Sequence, residues 1–163
     1  MKYKMNLDKL NQFLTLLANL GVIAGIVFLA MEVQQNTSMM EAQTRDAMTD
    51  KLINWQLSLA TDLYTSQTFV TGNAGELLDN SAQENSYLML ISSNLRIWEN
   101  EWYQYSKGLY EEDEFTPRIN RWKGIMQGEG DGYRRIWCLR KDSFSTDFQS
   151  VIDSWVQDVG GCE

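Results

Sequence analysis

Residues 13–31, FLTLLANLGVIAGIVFLAM, contain no charged side chain. Wound as a helix at about 1.5 Å per residue, the run is roughly 28 Å long, close to the ~30 Å hydrocarbon core of a bilayer. A helix buried in a protein core keeps a polar face, whereas this run offers only Thr15 and Asn19 near its start. A cleaved signal peptide has a basic start, as Lys2 and Lys4 provide, but its apolar part is shorter and ends in a small-x-small site. Here the helical pattern continues past Ala30 through Glu32, Val33, Gln34 and Gln35. The reading is a retained transmembrane helix over 13–33, an N-terminal flank over 1–12, and a soluble helical domain over 34–163.

Within the run, Gly21 and Gly25 form a GxxxG step and Ala18 lies on nearly the same face. Small residues at that spacing let two helix backbones approach closely in lipid, and Asn19 is able to add a hydrogen bond across the contact. The expected partners are the lipid bilayer and a second copy of the chain or another membrane protein. Lys2, Lys4 and Lys9 precede the run, while Arg45 and Lys51 lie well beyond it, so the charge asymmetry leans towards an internal N-terminus and an exported domain.

The remainder is helix-patterned. The chain has a single proline, Pro117, and its turn signals are far apart, which points to an all-α fold: the membrane helix continuing into a small bundle of about five helices. Met48, Leu52, Trp55 and Leu59 share one face of the continuing first helix. Asp62 is positioned to cap a short helix, 63–70, ended by Gly72. Ser81 and Glu84 read as a capping box opening a helix that stops at Gly108. Along it Leu88, Ile91, Leu95, Trp98, Trp102, Tyr105 and Leu109 form a seam expected to pack on the first helix. The acidic run 111–114 suits a helix N-terminus, with Thr116-Pro117 in its first turn. Asp131 and Ser145 are expected to cap the last two helices, joined to what precedes them by the connection through Gly128, Gly130 and Gly132. The basic cluster Arg134, Arg135, Arg140 and Lys141 is available to pair with the acidic run or with a partner's acids.

Composition narrows the chemistry. The formal charge is −8, from 22 acidic against 14 basic residues, which argues against nucleic acid. There is no histidine, which removes His-based triads and most zinc and iron sites. No metal or cofactor is expected: the acidic run lacks the spacing of a Ca²⁺ loop. Cys138 and Cys162 have no CxxC spacing; the simpler reading is two unpaired side chains, the other a disulfide if the domain faces an oxidising compartment.

The one polar stripe that stands out is Arg96, Glu99, Asn100, Tyr103 and Gln104, on a single helix face. It reads either as a solvated or satisfied structural face, or as the polar floor of a ligand or partner site near Trp98, Trp102 and Trp137. The leading functional expectation is a non-enzymatic, self-associating membrane-anchored interaction or assembly protein. The alternative is a membrane-tethered sensor or small-molecule-binding module using 96–104. An enzyme with Glu99 or Glu101 as general base rests only on the presence of those carboxylates, and no catalytic residue is assigned. A pore is disfavoured because 13–31 has no regularly spaced polar face.

Three segments carry a resemblance: LAMEVQQNT (29–37), RIWENEWYQYSKGLYEEDEF (96–115) and GYRRIWCLRKDSFSTDF (132–148). In them the chain resembles a group of small bacterial membrane-anchored proteins with one N-terminal transmembrane helix and a soluble helical region. The resemblance implies a single-pass protein of the bacterial cytoplasmic membrane. In that group an arginine usually stands at the membrane exit where this chain has Gln34, and it implies a cytoplasmic domain. No activity comes with the resemblance; it adds weight to 96–104 as a signature face.

Overall fold

A computed structural model describes residues 7–128 and 131–162. Lys2 and Lys4 of the N-terminal flank, and Glu129 and Gly130 of the glycine-rich connection, lie outside the described residues. The regular elements of the described chain are α-helices and one 3₁₀ turn: α1 Leu7–Ala60, α2 Leu63–Asn73, α3 Ser81–Ser106, α4 Glu112–Gln127, α5 Gly132–Arg140, the turn Lys141–Ser143, and α6 Thr146–Gln157. It divides into two compact units, residues 1–42 and 43–163.

The first unit is helix α1 up to residue 42. It contains the one described helix long and apolar enough to cross a membrane, with an 18-residue window of mean hydropathy 2.4, none of it buried. Residues 22–29 are not enclosed by other helices: Val22, Ile26 and Phe28 are each about 60% exposed. Thr15 Oγ1 donates to the Asn11 carbonyl at 2.9 Å, so its hydroxyl is satisfied within the helix. A Cβ built on Gly21 or Gly25 meets nothing within 4 Å.

In the second unit α3 is the central element. Tyr87, Ile91, Leu95 and Trp98 are at most 3% exposed, and α3 packs on α2, α4 and α5 while α4 packs on α5 and α6. The expectation that the α3 seam rests chiefly on the first helix is corrected. α1 reaches α3 through Trp55, whose Nε1 donates to the Leu90 carbonyl at 3.1 Å, and through Met48, whose Sδ accepts from Asn100. The bulk of the seam is covered by Phe115, Trp122, Tyr133 and Phe148, because large rings from α4–α6 cover more of it than α1's narrower apolar face. Trp98 stacks on Trp122 at 5.3 Å and on Tyr133 at 5.4 Å, and Tyr105 on Phe115 at 4.1 Å.

The helix ends follow local chemistry. Asp62 caps α2, its carboxylate accepting from Thr65 N at 2.8 Å, and Gly108 takes φ +70° after α3. The capping box is displaced by one residue: Asn80, not Ser81, accepts from Ala82 N and Gln83 N, and Gln83, not Glu84, reaches back to Asp79 N at 2.7 Å. The Asn80 side chain takes up the orphan N–H groups of Ala82 and Gln83, so Ser81 becomes the first helical residue. Pro117 sits in the second turn of α4 rather than the first. Asp131 and Ser145 stand at the N-cap positions of α5 and α6 but make no side-chain cap bond.

Two glycines have packing roles that the pattern did not suggest. Gly72 lies inside α2 rather than ending it, and a Cβ there would fall within 2.7 Å of three Tyr87 ring carbons. Gly132 opens α5, and a Cβ there would strike the Tyr87 hydroxyl and the Gly72 carbonyl. Tyr87 is therefore held between two backbones that approach because neither position bears a side chain.

The basic cluster does not meet the acidic run. Arg134 Nη1 donates to the Met126 and Gly128 carbonyls at 3.0 and 2.8 Å, closing the C-terminus of α4. Lys141 pairs with Asp153 at 3.3 Å, and the acid Glu114 pairs with Arg45 at 2.6 Å. The simpler reading of the cysteines is also overturned. Cys138 on α5 and Cys162 after α6 form a disulfide with Cα atoms 5.4 Å apart. Trp137 Nε1, donating to Asp153 at 2.8 Å, ties α5 to α6 a second time.

Candidate functional site

The polar stripe of α3 divides between two kinds of surroundings. Arg96 pairs with Glu99 at 2.5 Å, donates to the Ser143 carbonyl and lies 4.2 Å over the Phe144 ring. Glu99 also accepts from the backbone N–H of Ser145 at 2.7 Å. Partial burial pushes the Glu99 carboxyl up, but the Ser145 N–H and the Arg96 guanidinium pull it further down, below the ordinary carboxylate range. These two side chains thus pin the link between α5 and α6 onto α3. Asn100 donates to Met48 Sδ at 3.3 Å; Tyr103 is half-exposed with Lys107 over its ring; Gln104 is half-buried. None of the five lines the cavity of about 510 Å³ formed by α1–α5.

That cavity, of about 510 Å³, lies on another side of α3 and wholly within residues 43–163. Its size falls in the range of small-molecule sites. Helix α1 contributes Leu52, Trp55 and Leu59; α2 contributes Phe69 and Asn73; α3 contributes Asn94 and Trp98. From α4 come Arg118, Arg121, Trp122 and Ile125, spaced three and four residues apart on one face, and α5 supplies Tyr133. Trp55 meets Phe69 edge-on at 5.6 Å, making one wall; the Trp98–Trp122–Tyr133 stack makes another.

Gln56, Asn73, Asn94, Arg118, Arg121 and Tyr133 bring the cavity its polar groups. Asn73 Oδ1 accepts from the Tyr87 hydroxyl at 2.8 Å, and Asn94 Oδ1 from the Tyr133 hydroxyl at 3.0 Å. Burial raises the pKa of both phenols, so they stay protonated and act as donors; the Arg121 charge partly opposes this at Tyr133. Arg118 grips Glu101 with two donors, Nε to Oε2 at 2.9 Å and Nη2 to Oε1. Glu101 is fully buried; burial pushes its carboxyl up and Arg118 opposes that shift. Arg121 is exposed and makes no ion pair among the described residues.

Glu99 and Glu101, the two carboxylates considered for acid–base work, point into different environments. One is held at the α5–α6 link and the other behind the cavity wall by Arg118, and neither lines the cavity. Of the aromatics expected near a pocket, Trp98 lines this one, Trp102 packs on Phe148, and Trp137 packs on Phe144 and Phe148. Among the described residues no group of three or more His, Cys, Asp or Glu side chains is arranged to hold a metal ion. A second, shallower hollow of about 320 Å³ lies between the start of α3 and α5, beside Leu88 and Arg135. Sequence reasoning missed Asn73, Asn94, Arg118 and Arg121. The one available signal was the pair Arg118 and Arg121 on the same face of α4 as Trp122 and Ile125. Comparison with protein-family models, with curated proteins and with solved structures finds no match.

Proposed function

We propose that this chain is a single-pass, membrane-anchored binding module, non-catalytic, with residues 13–31 in lipid and residues 43–163 holding a small molecule. The carrying observation is the cavity of about 510 Å³, with aromatic walls and a handful of convergent donors. Anchoring is supported by the exposed, uncharged window of α1. The ligand-binding unit is on the oxidising side of the membrane. Its two cysteines are joined to each other, a bond that persists outside the reducing cytosol. The lysines Lys2, Lys4 and Lys9 before the apolar run favour the same orientation. This runs against the cytoplasmic domain implied by the resemblance, and Gln34, standing where that group carries arginine, removes the reason for it.

The binding test is thermal unfolding of the full chain in lipid nanodiscs against a library of organic acids, bases and neutral aromatics. At about 100 times its dissociation constant a true ligand adds roughly 2.7 kcal/mol, a rise of several degrees in Tm. Leu59→Trp, which sets an indole into the cavity wall and narrows it, should reduce the rise. A library with no stabilising member defeats the reading. Topology is tested by C-terminal fusions: alkaline phosphatase should be active and a green fluorescent reporter dark, and the reverse result refutes the orientation.

A second reading, self-association, is supported by the open space around Gly21 and Gly25 on an exposed helix. Two such helices are able to close together through Ala18, Gly21 and Gly25 with Asn19 bonding across. Native mass spectrometry from a mild detergent should then give a dimer that Gly21→Leu/Gly25→Leu converts to monomer. A wild-type monomer excludes this reading without touching the first.

A further inference from the structure

The cavity offers hydrogen-bond donors, aromatic faces and a positive charge, and no carboxylate is among the residues that line it. We propose that its ligand is a small planar organic carboxylate, the anionic group held by Arg118 and Arg121 and the ring lying against Trp55 and the Trp98–Trp122 stack. The inference rests on the binding-module reading and adds the chemical class of the ligand.

The donor inventory points this way residue by residue. Asn73 and Asn94 each spend their carbonyl oxygen on a tyrosine hydroxyl, and neither amide nitrogen has a partner within the protein. Asn94 lines the cavity, and its N–H₂ is not among the buried unpartnered polar atoms, so it is open to donate to a ligand there. Arg118 carries five N–H donors and uses two on Glu101. The Trp55 indole N–H is already spent on the Leu90 carbonyl, leaving that side chain its apolar face.

Charge selects among anions. The chain as a whole is acidic, at −8, so a concavity with two arginines and no carboxylate is a local reversal. Glu101 neutralises Arg118, and Arg121 supplies the one uncompensated positive charge. One net positive charge matches a monoanion better than a phosphate dianion, whose second charge it would leave unpaired. A guanidinium fork matches the two oxygens of a carboxylate. The aromatic walls by themselves would also suit a quaternary ammonium group, but the uncompensated Arg121 guanidinium repels it.

The experiment is calorimetric titration of the full chain in lipid nanodiscs, with empty nanodiscs subtracted. The probes are 2-naphthoate and indole-3-acetate, each against its primary amide, with choline as the cationic control. The acids should bind at least tenfold more tightly than the amides. Arg121→Gln, an exposed position without an ion pair, should erase that preference while helical content stays unchanged. Equal binding of acid and amide, or a preference that survives Arg121→Gln, overturns the carboxylate assignment and leaves the binding module standing. Choline binding more tightly than either acid overturns it in favour of a cation. If no probe binds, the assignment falls, and the thermal screen then decides separately whether the cavity binds anything.

Discussion

The Cys138–Cys162 disulfide makes the sharpest prediction because it connects stability to compartment. The two residues are 24 positions apart, so the crosslink closes a loop of about that length through α6. In the chain-entropy account, a loop of ~25 residues lowers the entropy of the unfolded chain by about 12 cal/mol/K, or roughly 3.5 kcal/mol at 25 °C. Cys162 is exposed and Cys138 half-buried, so a paired change to serine leaves no large cavity to confuse the result. Cys138→Ser/Cys162→Ser should therefore destabilise the unit 43–163 by about 3 kcal/mol, lowering its Tm by roughly 10–15 °C. The assay is denaturant and thermal unfolding of the full chain in nanodiscs, followed by near-ultraviolet circular dichroism. Wild type melted in reductant should fall to the variant's midpoint, and reductant should not move the variant. A loss below about 1 kcal/mol would refute the loop argument. Wild-type protein with two free thiols after isolation under alkylating conditions would remove the case for an exported unit.

Three further outcomes follow from named contacts. Gly72→Ala and Gly132→Ala, each driving a methyl group onto Tyr87, should cost about 2–3 kcal/mol in chemical unfolding, whereas Gly124→Ala, open on α4, should be neutral or stabilising. Arg118→Met strands the buried Glu101 carboxylate and should cost about 3–5 kcal/mol, much of it recovered in Arg118→Met/Glu101→Met; a double variant no better than the single one would refute the pairing. Glu99 has a folded pKa below its unfolded value, so its stabilising contribution is present above the ordinary carboxylate range and is lost as pH falls through the lowered pKa. Unfolding curves of wild type and Glu99→Gln should therefore differ at neutral pH and converge in acid; a gap that persists in acid would show that the effect is not ionic.

The features legible in the chain were those written within one or two helical turns. Residues 13–31 announce a helix long and apolar enough to span a bilayer, because hydropathy and length are properties of a contiguous segment. Asp62 and Gly108 mark helix ends because a cap acts on its neighbours, and the α3 seam shows which face is buried. The all-α class followed from these alone. Even here, one-residue ambiguities survived, as at Asn80 and Ser81, two adjacent residues of types that cap helices, of which Asn80 makes the cap bonds.

What the tertiary structure decided are relations between residues far apart in sequence. Gly72 and Gly132 matter because both meet Tyr87, and no local pattern distinguishes such a glycine from a turn glycine. The cysteines pair because α5 and the segment after α6 bring their Cα atoms to 5.4 Å. The stripe 96–104 was visible as a face, but what that face touches depends on where the α5–α6 link lies. The cavity gathers Trp55, Asn94, Arg121 and Tyr133 from four helices, so its donors and its charge exist as a site only once those helices have packed. Helix formation is governed by neighbours within four residues, whereas a concave surface is made by elements that meet only through burial of their apolar faces.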